Sequence, residues 1–187
     1  SKPYRYTARS WELKAHRSIA AHDSMGSHIT VHSKNNTVMR VVPRENESIN
    51  EVWLSDRDRF SYEAVNSEDR LTQPMIKENG QWQDVDWETA LAFAVEGLKK
   101  VNAEQTGVLA SANSTLEELH LLQKLARAMG VENIDFRLRQ TDFSADKSGF
   151  NAPSLAIDIA DVEKQKAILL VGSYLRKEIP ILNHRIR

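Results

Sequence analysis

The chain contains no cysteine among its 187 residues, and this excludes several ways of building a fold. Without thiols there is no disulfide framework and no Cys nucleophile. Iron–sulfur clusters are held by Cys thiolates, with only occasional histidine replacements. The chain must therefore fold by burying apolar side chains, and its 41% of hydrophobic and 27% of charged residues are the balance of an ordinary globular protein.

The hydrophobic pattern changes character near residue 75. Before this point, two short runs of alternating β-branched residues, His28–His32 and Thr37–Val42, surround the polar stretch Ser33–Asn36. Two such runs around a polar turn predict a β-hairpin. We therefore predict a small β-rich module over residues 1–75.

From residue 76 onward, helical and strand patterns alternate. Helical patterns with N-caps at Asp86 and Ser114 are interspersed with short apolar runs at Gly107–Ala110 and Ala167–Val171. The second run is apolar on both faces, as in a strand buried within a parallel sheet. The alternation predicts an α/β fold, namely a doubly wound, Rossmann-like parallel-sheet module over residues 76–187, which we expect to be truncated.

Charge and hydropathy exclude two classes of partner. The formal net charge is −1, from 25 basic and 26 acidic residues. The chain therefore lacks the basic excess that would favour nucleic acid as a partner. No apolar run approaches the ~20 residues that a membrane helix needs. We predict a protein with no nucleic-acid partner and no direct membrane insertion.

Four of the histidines lie close together in the sequence, at His16, His22, His28 and His32. A metal site made from His22, Asp23 and His28 is conceivable, since these residue types bind zinc. No zinc-site spacing is matched, however, and on a regular strand His28 and His32 would lie about 13 Å apart. Packing or surface histidines are the favoured interpretation, and a His-based metal-binding module is the alternative.

The turn Gly172-Ser173 follows an apolar run, which is where α/β folds bind phosphates. No glycine-rich phosphate-binding motif accompanies it. We interpret it as a plain strand-to-helix turn.

The segment Ser18–Ile29 resembles the cluster-binding start of the molybdopterin-oxidoreductase family. That family has the motif C-x2-C-x3-C followed further on by a fourth cysteine. The corresponding positions here, with the family's spacing, are Ala20, Asp23, Ser27 and Ser55. The resemblance implies vestigial cluster-ligand positions, and we predict no catalytic, cofactor-binding or metal-binding residue in the chain.

Five separated strings resemble the large iron–sulfur subunit of respiratory NADH:quinone oxidoreductases (complex I). They are Ser1–Glu12, Met39–Arg44, Ile49–Asp56, Arg70–Met75 and Pro180–Arg187. The resemblance implies a scaffold part of an electron-transfer subunit, in a domain whose relatives have lost the molybdenum cofactor. It also implies no cofactor within this part of the subunit, with iron–sulfur clusters expected upstream of Ser1.

The same resemblance implies partners and a location. The partners would be other peripheral-arm subunits of complex I and the cluster-bearing N-terminal segment of the same subunit. The location would be the cytoplasmic side of the inner (plasma) membrane, or the matrix side in mitochondria. We expect this part not to be catalytic alone. The alternatives are a molybdopterin-dependent oxidoreductase, such as a formate dehydrogenase, and the His-based metal-binding module.

Overall fold

The computed structural model describes residues 2–137 and 154–187, together with Gln140, Asp142 and Ser144. The chain divides into two compact units. One consists of Ser1–Glu68 with Phe143–Arg187, and the other of Asp69–Asp142. None of the helices in the described ranges is long and apolar enough to cross a membrane.

A three-stranded antiparallel sheet organises the first unit. Its strands are β1 (Lys14–Ile19), β2 (His28–Lys34) and β3 (Thr37–Pro43), in the order β1-β2-β3. The β2–β3 turn has Asn35 and Asn36 at φ values of 50° and 62°, the left-handed conformation of a type I′ hairpin. The predicted hairpin is therefore confirmed, whereas β1 was not predicted.

The core of this unit lies on one face of the sheet. It is formed by the buried side chains of Ala20, Ile29, Val41, Leu54 and Tyr62. Leu54 and Tyr62 come from the segment after the sheet, so burying them holds that segment against β2 and β3.

Short helices complete the first unit. The α-helices are α1 (Asp56–Phe60), α4 (Leu175–Glu178) and α5 (Pro180–Ile186), and the 3₁₀ helices are Ser10–Glu12, Ser61–Asn66 and Ile159–Lys164. Pro180 occupies the first turn of α5, where its fixed φ and missing N–H are tolerated.

The second unit combines two hairpin strands, two longer helices and a short parallel pair. Its elements are β4 (Met75–Glu78), β5 (Gln81–Asp84), α2 (Trp87–Leu98), the 3₁₀ helix Ala103–Gln105, β6 (Val108–Leu109), α3 (Leu116–Ala128) and β7 (Ile134–Asp135). Asn79 and Gly80, at φ values of 51° and 81°, form the tight turn of the β4–β5 hairpin. β6 and β7 pair in parallel, with α3 between them in sequence.

The N-cap of α3 lies one residue beyond the predicted position. Thr115, not Ser114, accepts a hydrogen bond from the N–H of Glu118, and the Glu118 carboxylate accepts one from the N–H of Thr115. Ser114 with Glu117 and Thr115 with Glu118 have the same spacing, so the capping-box pattern alone could not separate them.

The fold is mixed α/β with small antiparallel sheets, which confirms the predicted class only at this coarse level. In the described residues the parallel sheet has two strands. The predicted strand Ala167–Val171 is not a strand in the structure, and Leu169 within it is 87% exposed. A segment apolar on both faces forms a strand only when neighbours pair with its edges and cover its faces. The division at residue 75 stays a prediction.

The N-cap of α2 predicts a pH dependence. The N–H of Thr89 donates to the Asp86 carboxylate at 2.8 Å and thereby lowers the pKa of Asp86. Because the folded pKa lies below the unfolded one, the cap contributes stability at neutral pH, and this contribution is lost as the pH falls from the ordinary range of an aspartate through the lowered folded pKa. We expect the α2 carbon chemical shifts to move toward coil values over this range.

The control is Asp86→Asn, since asparagine caps a helix without titrating. In this variant the acid-induced fraying of α2 should be much smaller. Equal fraying in both proteins would show that the Asp86 carboxylate is not responsible.

Candidate functional site

Three of the four predicted cluster-ligand positions lie on one closed loop. The N–H of Ala20 donates to the carbonyl oxygen of Ser27 at 2.8 Å, which joins the two ends of the loop. Within it, the N–H of Met25 donates to Asp23 Oδ1 at 3.0 Å, and Gly26 adopts a φ of 67°. That φ lies in the left-handed region, which favours glycine.

The fourth position, Ser55, is the N-cap of α1. Its Oγ accepts a hydrogen bond from the N–H of Asp58 at 3.1 Å and donates one to Asp58 Oδ2 at 2.5 Å. Both residues are buried. A buried carboxylate needs such partners, because an uncompensated charge away from water is costly.

Two contacts fasten the loop to α1. His22 Nδ1 lies 2.9 Å from Asp58 Oδ1, and the guanidinium of Arg57 lies 3.6 Å from Asp23 Oδ2. Since Asp58 is an acceptor, the His22 Nδ1 carries the proton and donates. The loop with Ala20, Asp23 and Ser27 is thus bonded to the helix that Ser55 caps, and the structure brings the four positions into one polar site.

This site contains buried polar atoms that lack hydrogen-bond partners in the described part of the chain. They are Asp23 Oδ2 and Ser27 Oγ. The Ser27 residue is 0% exposed, and the Asp23 side chain is 3% exposed. The arrangement is therefore an oxygen-lined interior, with Arg57 as the nearest positive charge to Asp23.

The clustered histidines do not converge on one point. His16 hydrogen-bonds Ser33, His22 bonds Asp58, and His28 lies 3.2 Å from the amide nitrogen of Asn46. Over the ranges that the structure describes, no group of three or more His, Asp or Glu side chains is placed to hold a metal ion. The trio of His22, Asp23 and His28, which the sequence made only conceivable, is not assembled there.

His32 is held neutral by its surroundings. Burial lowers its pKa, and the nearby charge of Arg40 lowers it further. Arg40 Nε also donates to His32 Nδ1 at 2.9 Å, a bond that only the unprotonated nitrogen can accept.

Replacing Arg40 with methionine should raise the pKa of His32, because the charge and the bond to the neutral ring are both removed. Burial should still keep this pKa below the ordinary value. Titrating the ring by NMR measures the change, with Arg187→Met as the control at an exposed arginine. An unchanged or lower pKa in the Arg40 variant would contradict the assignment.

The turn Gly172-Ser173 is occupied by a side chain of the protein. Both Ser173 Oγ, at 3.1 Å, and the N–H of Tyr174, at 3.2 Å, donate to the Glu178 carboxylate. The donors that could receive an anion at this turn therefore already bind a carboxylate.

Sequence reasoning missed two buried polar residues of the first unit. Asn50 is 1% exposed; its amide oxygen accepts from the N–H of His28, and its NH₂ donates to the carbonyls of Arg44 and Trp53. Arg185 is 6% exposed and donates to the carbonyls of Ile49 and Glu47. Both contact partners distant in sequence, so no local pattern could reveal them.

Comparison with protein families accounts for most of the chain. Residues 13–63 match the 4Fe-4S domain of the NADH-ubiquinone oxidoreductase NDSU1/NuoG-like type, and residues 70–187 match molybdopterin oxidoreductase. The chain belongs to the molybdopterin oxidoreductase family. The predicted resemblance to this family is confirmed.

Curated relatives are similar to this chain over the whole length of the chain. It is 39% identical over 186 residues to an NADH-quinone oxidoreductase subunit of Rickettsia felis. It is 39% identical over 188 residues to NADH dehydrogenase [ubiquinone] iron-sulfur protein 1 of Solanum tuberosum, and 35% identical over 205 residues to the NADH-ubiquinone oxidoreductase 75 kDa subunit of Reclinomonas americana. The chain covers 27%, 25% and 29% of these relatives, respectively.

The family match corrects one prediction. We predicted no cofactor within this part of the subunit, and the match of residues 13–63 to a 4Fe-4S domain contradicts this. The prediction is wrong, because the match points to an iron–sulfur cluster within the segment. The prediction rested only on the lack of cysteine side chains, whereas the family match compares the whole sequence of residues 13–63.

The side chains at the four positions can be compared with the ligands that such a cluster needs. Clusters are held by thiolates. Ala20 offers no side-chain donor, Asp23 and Ser27 offer oxygens, and Ser55 Oγ is already bonded to Asp58. This donor set does not fit a thiolate-bound cluster, and we derive no chemical step through one.

The family's name refers to a pterin cofactor, and the second unit can be searched for features of a site that would bind it. The described residues of Asp69–Asp142 contain no buried side-chain polar atom that lacks a hydrogen-bond partner. A Cβ atom added at Gly97 or Gly107 would have no other atom within 4 Å, so neither glycine lines an enclosed pocket. Neither feature identifies a pterin-binding site among these described residues, and no chemical step is derived from one.

Proposed function

We propose that the chain is part of the large iron–sulfur subunit of respiratory NADH:quinone oxidoreductase, the complex that passes electrons from NADH to quinone. The observation that carries the proposal is similarity over 100% of the chain to relatives named for this enzyme in Rickettsia, Reclinomonas and potato. The chain spans about a quarter of their length, so the activity belongs to the larger assembly.

The role proposed for this part is architectural. Polar contacts join segments that are distant in sequence into one unit: His22 to Asp58, Arg57 to the carbonyl of Glu178, and Arg185 to the carbonyl of Ile49. A module joined by these contacts would present a rigid surface to neighbouring subunits. Electron transfer in the complex requires that the redox centres keep fixed distances, and a rigid module would help to maintain them.

The site residues are proposed in the same sense. Ala20, Asp23, Ser27 and Ser55 would stand where the family's cluster ligands stand, as vestigial positions. Their support is the matching sequence spacing and the polar site that they share. That the chain contributes no catalytic residue stays a prediction.

The finer architecture also remains a proposal. Residues 1–75 would be a β-rich module, and residues 76–187 the start of a doubly wound, Rossmann-like parallel-sheet domain. The parallel pairing of β6 with β7, with α3 between them in sequence, supports this. The match of residues 70–187 to the molybdopterin oxidoreductase family agrees with it.

Partners and location follow from the proposed assembly. The chain would contact other peripheral-arm subunits and the cluster-bearing N-terminal segment of its own subunit. It would lie on the cytoplasmic side of the bacterial inner membrane, or on the matrix side in mitochondria, without entering the bilayer.

The test is to tag the gene product that contains this chain and purify it from membranes. We expect a multisubunit complex that reduces quinone with NADH, and we expect loss of both the assembled complex and its activity when the chain is deleted. Activity that survives the deletion would reject the proposal.

The match to molybdopterin oxidoreductase favours a second candidate, a pterin-dependent oxidoreductase such as a formate dehydrogenase. Assaying the purified gene product for released pterin separates the two. Stoichiometric pterin in a preparation without other complex I subunits would establish the second candidate and exclude the first.

A further inference from the structure

The sheet of the first unit has a free edge at β1. This six-residue strand pairs with β2 on one side, from Lys14 opposite Ser33 to Ile19 opposite His28. All of its residues are exposed. An open edge presents a row of unpaired backbone groups that can pair with another strand.

The register identifies these backbone groups. The N–H of Ala20 donates to Ser27, so residues alternating from Ala20 direct their N–H and C=O groups toward β2. The intervening residues, Ala15, Arg17 and Ile19, direct theirs away from the sheet. Across the described chain, none of these outward groups makes a hydrogen bond.

The opposite edge of the sheet is blocked. On β3, Pro43 has no N–H to donate, and the amide of Asn66 donates to the carbonyl of Val38 at 2.9 Å. The helix α1 also contacts β3. Proline and covering elements are common protections of edge strands, so β1 alone offers this sheet for extension.

The charge of the sheet limits what can pair with it. The three strands contain four basic residues and no Asp or Glu: Lys14, Arg17, Lys34 and Arg40. Lys34 is already paired with Glu12 at 2.9 Å, which leaves Lys14 and Arg17 as the basic residues of β1 itself. A second copy of the chain pairing through β1 would bring further lysine and arginine side chains against Lys14 and Arg17. Like charges across strands are destabilising, whereas opposite charges are favourable.

We propose that β1 is an interaction surface for an extended acidic segment of a partner protein, which adds to the sheet as a fourth strand beside Ala15, Arg17 and Ile19. Backbone hydrogen bonds to these three residues supply the affinity, as in other cases of strand addition. Carboxylates of the partner lie against Lys14 and Arg17 and supply the selectivity. The pairing does not depend on the function proposed above.

The probe is a capped seven-residue peptide of valine and threonine with two glutamates three residues apart, added to the ¹⁵N-labelled chain, because Lys14 and Arg17 lie on opposite faces of β1 and each then meets one carboxylate. The matched control peptide has lysine in place of each glutamate. We expect the acidic peptide to bind and to slow the amide exchange of Ala15, Arg17 and Ile19, and we expect the lysine peptide not to bind.

Two variants test the edge and the charge separately. Ala15→Pro removes an outward N–H without removing a β1–β2 hydrogen bond, and should weaken binding by about tenfold or more, with Ala15→Ser as its control. Arg17→Glu should abolish the preference for the acidic peptide, because one attraction becomes a repulsion while the attraction at Lys14 remains. The amide chemical shifts of β2 and β3 report whether each variant keeps the sheet.

Four outcomes would overturn the proposal. They are no binding of the acidic peptide, equal binding of the lysine peptide, exchange protection away from β1, and dimerisation of the free chain through β1. Unchanged peptide preference in Arg17→Glu would also reject it, even if Ala15→Pro fails to fold.

Discussion

Replacing Arg185 with methionine is expected to lower the free energy of unfolding by about 3 kcal/mol. The Arg185 side chain is 3% exposed, and its guanidinium donates to the carbonyls of Ile49 at 2.8 Å and Glu47 at 2.5 Å. Methionine fills similar space but donates nothing, so both carbonyl oxygens lose a charged donor. The two acidic partners, Glu163 and Glu51, are 47% and 30% exposed and regain water, so these ion pairs contribute little.

Urea unfolding of the Arg185→Met variant measures this loss. The matched control is Arg187→Met on the same chain segment, at an exposed arginine, where a change within about 0.5 kcal/mol is expected. Arg185→Lys should fall between the two, because an ammonium cannot reproduce the fork of the guanidinium. If the two methionine variants were equally stable, Arg185 would not fasten α5 to the rest of the unit.

Local patterns in the sequence predicted local structure well. The hairpin turn at Asn35-Asn36 and the N-cap at Asp86 both have the predicted chemistry. Each depends on a few neighbouring residues that require positive φ or a side-chain acceptor. The free energy that decides such features is contained within the segment itself.

Features that depend on distant partners were missed or displaced. The residues of β1, Lys14–Ile19, do not alternate between apolar and polar, and all six are exposed. This segment is a strand because β2 pairs with it. Conversely, Ala167–Val171 has the composition of a buried strand, yet no neighbour pairs with it in the described chain. Pairing outweighed composition in both cases.

The candidate site shows the same division. The spacing of Ala20, Asp23, Ser27 and Ser55 was readable from the sequence, and it pointed to the family that the comparison then identified. The contacts that join these positions, from His22 to Asp58 and from Arg57 to Asp23, were not readable, because they connect a loop to a helix more than 30 residues away. The inference that no cofactor belongs to this segment, which rested on the missing thiols, is contradicted by the match of residues 13–63 to a 4Fe-4S domain.

Replacing Asp58 with alanine is the second large effect, a loss of about 2–3 kcal/mol in the free energy of unfolding. The Asp58 side chain is 1% exposed, and its two carboxylate oxygens are bonded separately to His22 and to Ser55. Alanine leaves the hydroxyl of Ser55 buried without its acceptor and releases the loop from α1. Asp56→Asn, on the same helix but exposed, is the control and should cost less than about 1 kcal/mol.

A double-mutant cycle separates the role of Asp58 in the loop contact from its role within the helix. If the 2.9 Å bond fastens the loop, His22→Ala should cost much less in the Asp58→Ala background than in the wild type. The difference between these two costs is the coupling energy of the pair, which we expect to be about 1 kcal/mol or more. Additive costs would mean that Asp58 acts only through Ser55, and that the loop carrying Ala20, Asp23 and Ser27 is held by other contacts.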